Sequence, residues 1–126
     1  MTPSNCWIDQ NTNREKYMKT SEIKFTVTLD ENNLPVNIVW EASDANEKSE
    51  CKAMMLSIWD AKEGNTLRVD LYTKDFYVEE MKKFFHQSLH LMGETFKRAT
   101  GEEKIVGDLN DYCDHFAEKM GLADAK

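Results

Sequence analysis

His86, His90 and Glu94 recur at four-residue intervals in "KKFFHQSLHLMGETF", and two imidazoles with a carboxylate are a ligand set that zinc accepts. At about 100° per residue, each four-residue step advances about 40°, so the three side chains form one narrow row on a helix. A metal- or small-ligand-binding protein built on this row is the alternative reading of the chain. The same angles count against it. With Phe85 at the centre of the apolar face, His86, His90 and Glu94 fall about 100°, 140° and 180° away, on the side that also carries Glu79, Lys83 and Lys97. A metal site needs a concave setting and partners that fix each ring tautomer. The row is therefore read as a solvated face, with no metal and no cofactor expected.

A second constellation lies in "DYCDHF", where Asp111, Cys113, Asp114 and His115 come together. Asp111 and His115 stand one helical turn apart, the spacing of an ordinary surface pair. A nucleophilic Cys113 would need a base and an exposed, electropositive setting, whereas its place on an apolar stripe makes it a core thiol. The chain has no phosphate-binding loop, no GxSxG, no HExxH and no dinucleotide fingerprint, so no enzymatic activity is expected.

The composition narrows the partners. A 126-residue chain with 40% hydrophobic residues is long enough for one domain with an ordinary core. Its net charge of −7 lacks the basic stripe that would offset phosphate, which argues against nucleic acid and anionic membrane. No apolar run approaches the ~18 residues of a membrane span, and the N-terminus has no apolar stretch after a basic one, so no secretory signal is read there. Cys6, Cys51 and Cys113 are odd in number and widely spaced, which gives neither a disulfide framework nor paired CxxC ligands. A soluble cytoplasmic protein without direct membrane insertion is the expectation.

The elements that would position these residues follow from hydrophobic period. Residues 1–17 are rich in Asn, Thr and Ser without any period, and are read as a flexible extension. Met18 is the expected natural start, and residues 123–126 form a short tail. Ile23, Phe25, Val27 and Leu29 alternate with Lys24, Thr26 and Thr28, the mark of a half-buried strand. "DENNLP" supplies a turn, and Val36, Ile38 and Trp40 alternate with Asn37, Val39 and Glu41 as the second arm of a hairpin. "ASDANEKSE" is read as a polar loop. Cys51, Met54, Met55, Ile58 and Trp59 then recur at three- and four-residue steps, predicting an amphipathic helix over about 48–62 that Gly64 ends. Leu67, Val69 and Leu71 alternate as a third strand.

The longest helix starts near Phe76, with Val78, Met81, Phe84, Phe85, Leu89, Met92 and Phe96 among its apolar face. "TGEE" at Thr100 predicts a capping box. A last helix carries Ile105, Leu109, Tyr112, Cys113, Phe116 and Met120, with Gly121 as its stop.

The fold expected is α+β, in the order β-β-α-β-α-α. A small, mainly antiparallel three-stranded sheet packs three helices on one face, in a single domain over 18–122. Trp40, Trp59 and Met54, Met55, Met81, Met92 and Met120 are assigned to the core or its rim. The opposite sheet face carries Lys24, Thr26, Thr28, Asn37, Val39, Glu41, Arg68, Asp70 and Tyr72, and is either solvated or a partner surface. Its interaction candidates are Arg68, Asp70 and Tyr72. Open strand edges also offer a route to a homodimer.

"TSEIKFTVTLDENNLPVNIVWEA", "LRVDLYTKD", "EEMKKFFHQ" and "DYCDHFAEKMGL" resemble the gliding motility protein GldC family of Bacteroidota over about residues 18–122. The resemblance implies a cytoplasmic accessory protein that acts by binding protein components of the gliding machinery, without catalytic or cofactor residues. His86 falls in the characteristic "FFHQ" stretch. His90 occupies a position associated in the family with apolar residues, so no metal pair common to the family is implied.

Overall fold

The computed structural model describes residues 18–122. The expectations for residues 1–17, for Cys6 within them and for the 123–126 tail lie outside the described residues. The chain divides into two compact units, an all-β unit over Lys19–Tyr77 and a second unit that, among the described residues, holds Met18 and the helical segment from Val78 onward. Among the described residues there are five strands, β1 (Ile23–Leu29), β2 (Pro35–Ala42), β3 (Glu47–Cys51), β4 (Ala53–Asp60) and β5 (Asn65–Tyr72), and two helices, α1 (Val78–Thr100) and α2 (Glu103–Met120). The structure is α+β with antiparallel sheets. The expected single three-stranded sheet with three helices is replaced by two sheets, β1-β2-β3 and β4-β5, and two helices.

The helix expected over about 48–62 is the source of the difference, because those residues form most of β3 and β4. Ala, Met and Leu favour helices intrinsically, and the three- and four-residue steps suggested one. The same residues also alternate, and β5 decides between the two readings. Met54 pairs with Leu71, Leu56 with Val69 and Ile58 with Leu67, while Met55, Ser57 and Trp59 face Asp70, Arg68 and Thr66. An eight-residue strand with a matching alternating partner satisfies its backbone through the ladder. Gly64, with φ of 67°, ends no helix; it completes the β4–β5 turn, donating to the Asp60 carbonyl at 2.9 Å. β3 has no apolar alternation of its own, and its pairing with β2 over Ile38↔Cys51 to Ala42↔Glu47 is what defines it.

β1 and β2 pair in the alternation expected of them, with Phe25 opposite Trp40 and Val27 opposite Ile38. The register shifts between Thr28 and Leu29, so Val36 is bulged out beside Pro35, which lacks an N–H to give the ladder. Asp30 holds the intervening turn. Its carboxylate accepts the Asn32 and Leu34 N–H groups at 2.8 and 3.0 Å and binds Lys74 Nζ at 2.9 Å. Asn33 takes the left-handed conformation at φ 64°, which Asn tolerates better than most residues. Within the same unit, buried Thr73 donates its N–H to the Lys52 carbonyl at 2.9 Å and its hydroxyl to Asp75 at 2.7 Å.

In the helical unit, Glu79 and Glu80 open α1 and Lys97 and Arg98 close it, each complementing the helix dipole. Gly101 at φ 77° ends α1, its N–H donating to Lys97 O at 2.8 Å. The Thr100 hydroxyl accepts the Glu102 N–H at 3.1 Å, one residue short of the Glu103 N–H that the expected capping box would use. Glu102, however, occupies the N-cap of α2, and no side chain bonds there. Gly121 stops α2 at φ 73° as expected, and the Leu122 N–H returns to Ala117 O at 2.7 Å while its side chain is buried.

α1 and α2 pair as a hairpin whose seam buries His86 and Gly93 of α1 and Val106 and Cys113 of α2. A Cβ added at Gly93 would stand 2.8 Å from Leu109 Cδ2, so the missing side chain is what lets α2 come this close.

Candidate interaction surface

The β4–β5 hairpin has two unlike faces because opposed residues share a side. One face carries Met54, Leu56, Ile58, Leu67, Val69 and Leu71, and the other carries Ala53, Met55, Ser57, Trp59, Thr66, Arg68, Asp70 and Tyr72. On this second face Arg68 is fixed by its neighbours. Its Nη2 lies 2.6 Å from Asp70 Oδ1, its Nε 3.3 Å from Asp70 Oδ2, and its Nη1 donates to Ser57 Oγ at 2.8 Å. The hydrogen bond to Asp70 raises the guanidinium pKa above its ordinary value, so Arg68 stays charged across the physiological range. Trp59 and Tyr72 stand exposed at the two ends of this pair, at 68% and 57%.

The three residues singled out from sequence, Arg68, Asp70 and Tyr72, are thus brought together on one face. The other members of the expected polar face, Lys24, Thr26, Thr28, Asn37, Val39 and Glu41, lie on the β1–β2 ladder of the other sheet, so the single continuous face is corrected to two. The sequence places Trp59 in the core or at its rim because the segment around it reads as a helix, whereas the structure leaves it 68% exposed. The alternation of Met55, Ser57 and Trp59 against Arg68 and Asp70 was the signal that could have found it.

The histidine row separates in the structure. His86 is buried in the helix seam, its imidazole stacked on Phe116 with centroids 6.1 Å apart and planes 17° apart. His90 and Glu94 are exposed, with Nε2 3.6 Å from Oε2. The expected solvated position of His86 is corrected by the location of the seam. The α2-facing side of α1 centres on His86 and Gly93, roughly 80–100° around the helix from Phe85, whereas the sequence reading centred it on Phe85 itself. Among the described residues no group of three or more His, Cys, Asp or Glu is placed to hold a metal ion.

Cys113 is buried, and burial followed by the Asp114 charge pushes its thiol pKa up. That is the opposite of what a nucleophile requires. Burial likewise raises the pKa of Cys51. His115 lies against Tyr112, 5.9 Å between ring centroids. A shallow polar depression of about 280 Å³ is lined by Glu22, Lys24, Glu41, Asn46, Glu47 and Lys48. Its charges are mixed, with Lys24 Nζ 4.0 Å from Glu41, and they converge on no single ligand type. Among the described residues no helix is long and apolar enough to cross a membrane.

Among known families, one described as gliding motility-associated protein GldC-like matches the chain over residues 35–122. That span includes β2 through α2 and the whole β4–β5 surface. No curated protein and no solved structure matches the chain.

Proposed function

The chain belongs to the GldC-like family of gliding motility-associated proteins, and from that premise we propose that it is a non-enzymatic, cytoplasmic accessory protein that acts by binding a protein of the gliding machinery. The binding surface is the β4–β5 face. The observation that carries this reading is the pairing of exposed Trp59 and Tyr72 around a preset Arg68–Asp70 ion pair. Trp, Tyr and Arg are the residues in which interface energy concentrates. An Arg already held by Asp70 and Ser57 loses less side-chain freedom on docking than a mobile one.

The test is complementation of a gliding bacterium that lacks its own GldC-like protein. Trp59→Ala is expected to weaken partner capture at least about tenfold, the loss typical of an interface anchor, and to reduce cell spreading. Because Trp59 is exposed, the melting temperature should stay within a degree or two of wild type, which is the usual scale of a surface change. Exchanging Arg68→Asp together with Asp70→Arg keeps the pair but reverses its charge pattern, and should have the same effect. Full spreading and unchanged crosslinked partners in both variants would overturn the assignment.

A further inference from the structure

Cys51 and Ala53 are separated by a single residue, yet they pair with different strands. Cys51 lies opposite Ile38 of β2, and Ala53 lies opposite Tyr72 of β5. Lys52 between them is a bend, so neither ladder runs through it. The β1-β2-β3 sheet and the β4–β5 hairpin belong to the same compact unit. Among the described residues, however, no strand of one is hydrogen-bonded to a strand of the other. A ladder fixes a strand through its row of N–H···O=C bonds. Where that row is interrupted, the chain is free to turn about φ and ψ, and hinges form at such element-terminal residues.

Thr73, Lys74 and Asp75 span this bend. The Thr73 N–H donates to the Lys52 carbonyl at 2.9 Å and its hydroxyl donates to Asp75 at 2.7 Å. Asp75 in turn faces Lys52 Nζ at 3.9 Å. The Lys74 N–H donates to the Pro35 carbonyl, at the start of β2, at 3.2 Å, and Lys74 Nζ reaches Asp30 in the β1–β2 turn at 2.9 Å. Three consecutive residues thus hold the bend from one side and the three-stranded sheet from the other.

These ties differ in strength. Thr73 is 3% exposed, so its bonds are shielded from competing water. The side chains of Lys52, Lys74 and Asp75 are between 48% and 62% exposed, and ion pairs in that setting each contribute little. The Thr73 hydrogen bond, supported by the Lys52 charge, lowers the Asp75 pKa, and the Leu34 N–H and Lys74 lower that of Asp30. Both pairs are therefore charged at neutral pH. The corner is a buried pin flanked by two weak ionic ties.

We propose that Thr73, Lys74 and Asp75 form a clasp that sets the angle between the β1-β2-β3 sheet and the β4–β5 hairpin, and that the hairpin swings as a rigid arm about Lys52 when the clasp opens. The arm carries Trp59, Arg68, Asp70 and Tyr72, so the clasp fixes the direction in which that face points from the three-stranded sheet. The proposal goes beyond the binding reading and does not depend on it, because its test needs no partner.

Residual dipolar couplings of the backbone N–H groups in the full chain read the angle between the two sheets. In wild type, one alignment tensor should fit the couplings of both sheets together. Lys74→Met combined with Asp75→Asn removes both ion pairs, and the two sheets should then require separate tensors while the amide shifts inside each ladder hold. Thr73→Val removes the hydroxyl tie and should produce the same separation. Thr73→Ser keeps the hydroxyl and should retain the single tensor. Separate tensors in wild type would overturn the proposal, because the clasp would not be holding the angle. So would a single tensor in a folded chain carrying either Thr73→Val or the Lys74→Met, Asp75→Asn pair.

Discussion

The strand unit and the helical unit keep their shapes by different means. Among the described residues, Ile38 is the buried apolar side chain of the strand unit, whereas the helical unit buries Val106, Cys113 and Leu122 together with His86. The strands are instead tied at their turns, by the Asp30 carboxylate at one hairpin, the Asp60 carboxylate accepting Glu63 N–H at another, and Thr73 bridging Lys52 and Asp75. The helices are locked by side chains meeting across a seam that Gly93 narrows. A unit with little buried surface must specify its register through turns and ladders, because apolar packing alone would not oppose a slip.

The most severe challenge to this contrast is Ile38→Ala. Ile38 is fully buried and opposes both Val27 and Cys51. Removing it should cost about 2–5 kcal/mol, the range for a buried aliphatic side chain truncated to Ala. Urea unfolding followed by tryptophan fluorescence, which reports Trp40 and Trp59 in this unit, measures the loss. A loss below about 1 kcal/mol, the scale of an ordinary substitution, would show that the ladders hold the unit without its one core residue.

Asp30 gives a smaller effect with a distinct pH signature. The Leu34 N–H and then Lys74 hold its pKa below the ordinary carboxylate value. A carboxylate lowered in the folded state stabilises the fold above its unfolded pKa, about 3.9, and that contribution is lost as pH falls through the lower folded value. Asp30→Asn keeps an oxygen to accept Asn32 and Leu34 but removes the charge facing Lys74. The variant should therefore melt below wild type at pH 7, and the gap should close as pH drops below about 4. Salt should narrow it as well, since the Lys74 partner is 55% exposed. The Ile38→Ala gap should hold over the same range. Thermal melts from neutral pH to about pH 3 separate the two, and an Asp30→Asn gap that stayed constant would remove the charge from the account.

What could be read from the sequence follows this division. β1, β2 and β5 announce themselves because their apolar residues alternate, and α1 and α2 because their stripes run for many turns with Gly121 as a stop. β3 and β4 do not. Glu47–Cys51 carries almost no apolar residue, and Ala53–Asp60 opens on the good helix formers Ala53, Met54, Met55 and Leu56, with a spacing that fits either period. Their identity comes from β2 and β5, partners that local pattern cannot see. The candidate surface was legible as Arg68, Asp70 and Tyr72, which lie on a clearly alternating strand, while Trp59 was lost with β4. In α1 the element was legible but its seam was not. A helix with a broad apolar arc does not say which part of it meets α2, and Gly93 marks the seam by lacking a side chain, not by possessing one.

The two helix glycines turn that last point into the smallest and sharpest test. An added Cβ at Gly107 meets nothing within 4 Å, while one at Gly93 stands 2.8 Å from Leu109 Cδ2 and 3.6 Å from Val106 Cγ1. Replacing an interior helix glycine with alanine gains about 0.5–1 kcal/mol through reduced backbone freedom in the unfolded chain. Gly107→Ala should realise that gain in full. Gly93→Ala has the same intrinsic gain, but Leu109 must move aside or the helices must part. Displacing a packed side chain typically costs about 1–3 kcal/mol. The Leu109 methyl is the end of a flexible side chain, so the lower end of that range applies and Gly93→Ala should finish about 1 kcal/mol less stable than Gly107→Ala. Helical circular dichroism during urea unfolding measures both. Equal stabilisation in the two variants would mean the seam has room to spare, and the helical unit would then be no more tightly packed than the strands.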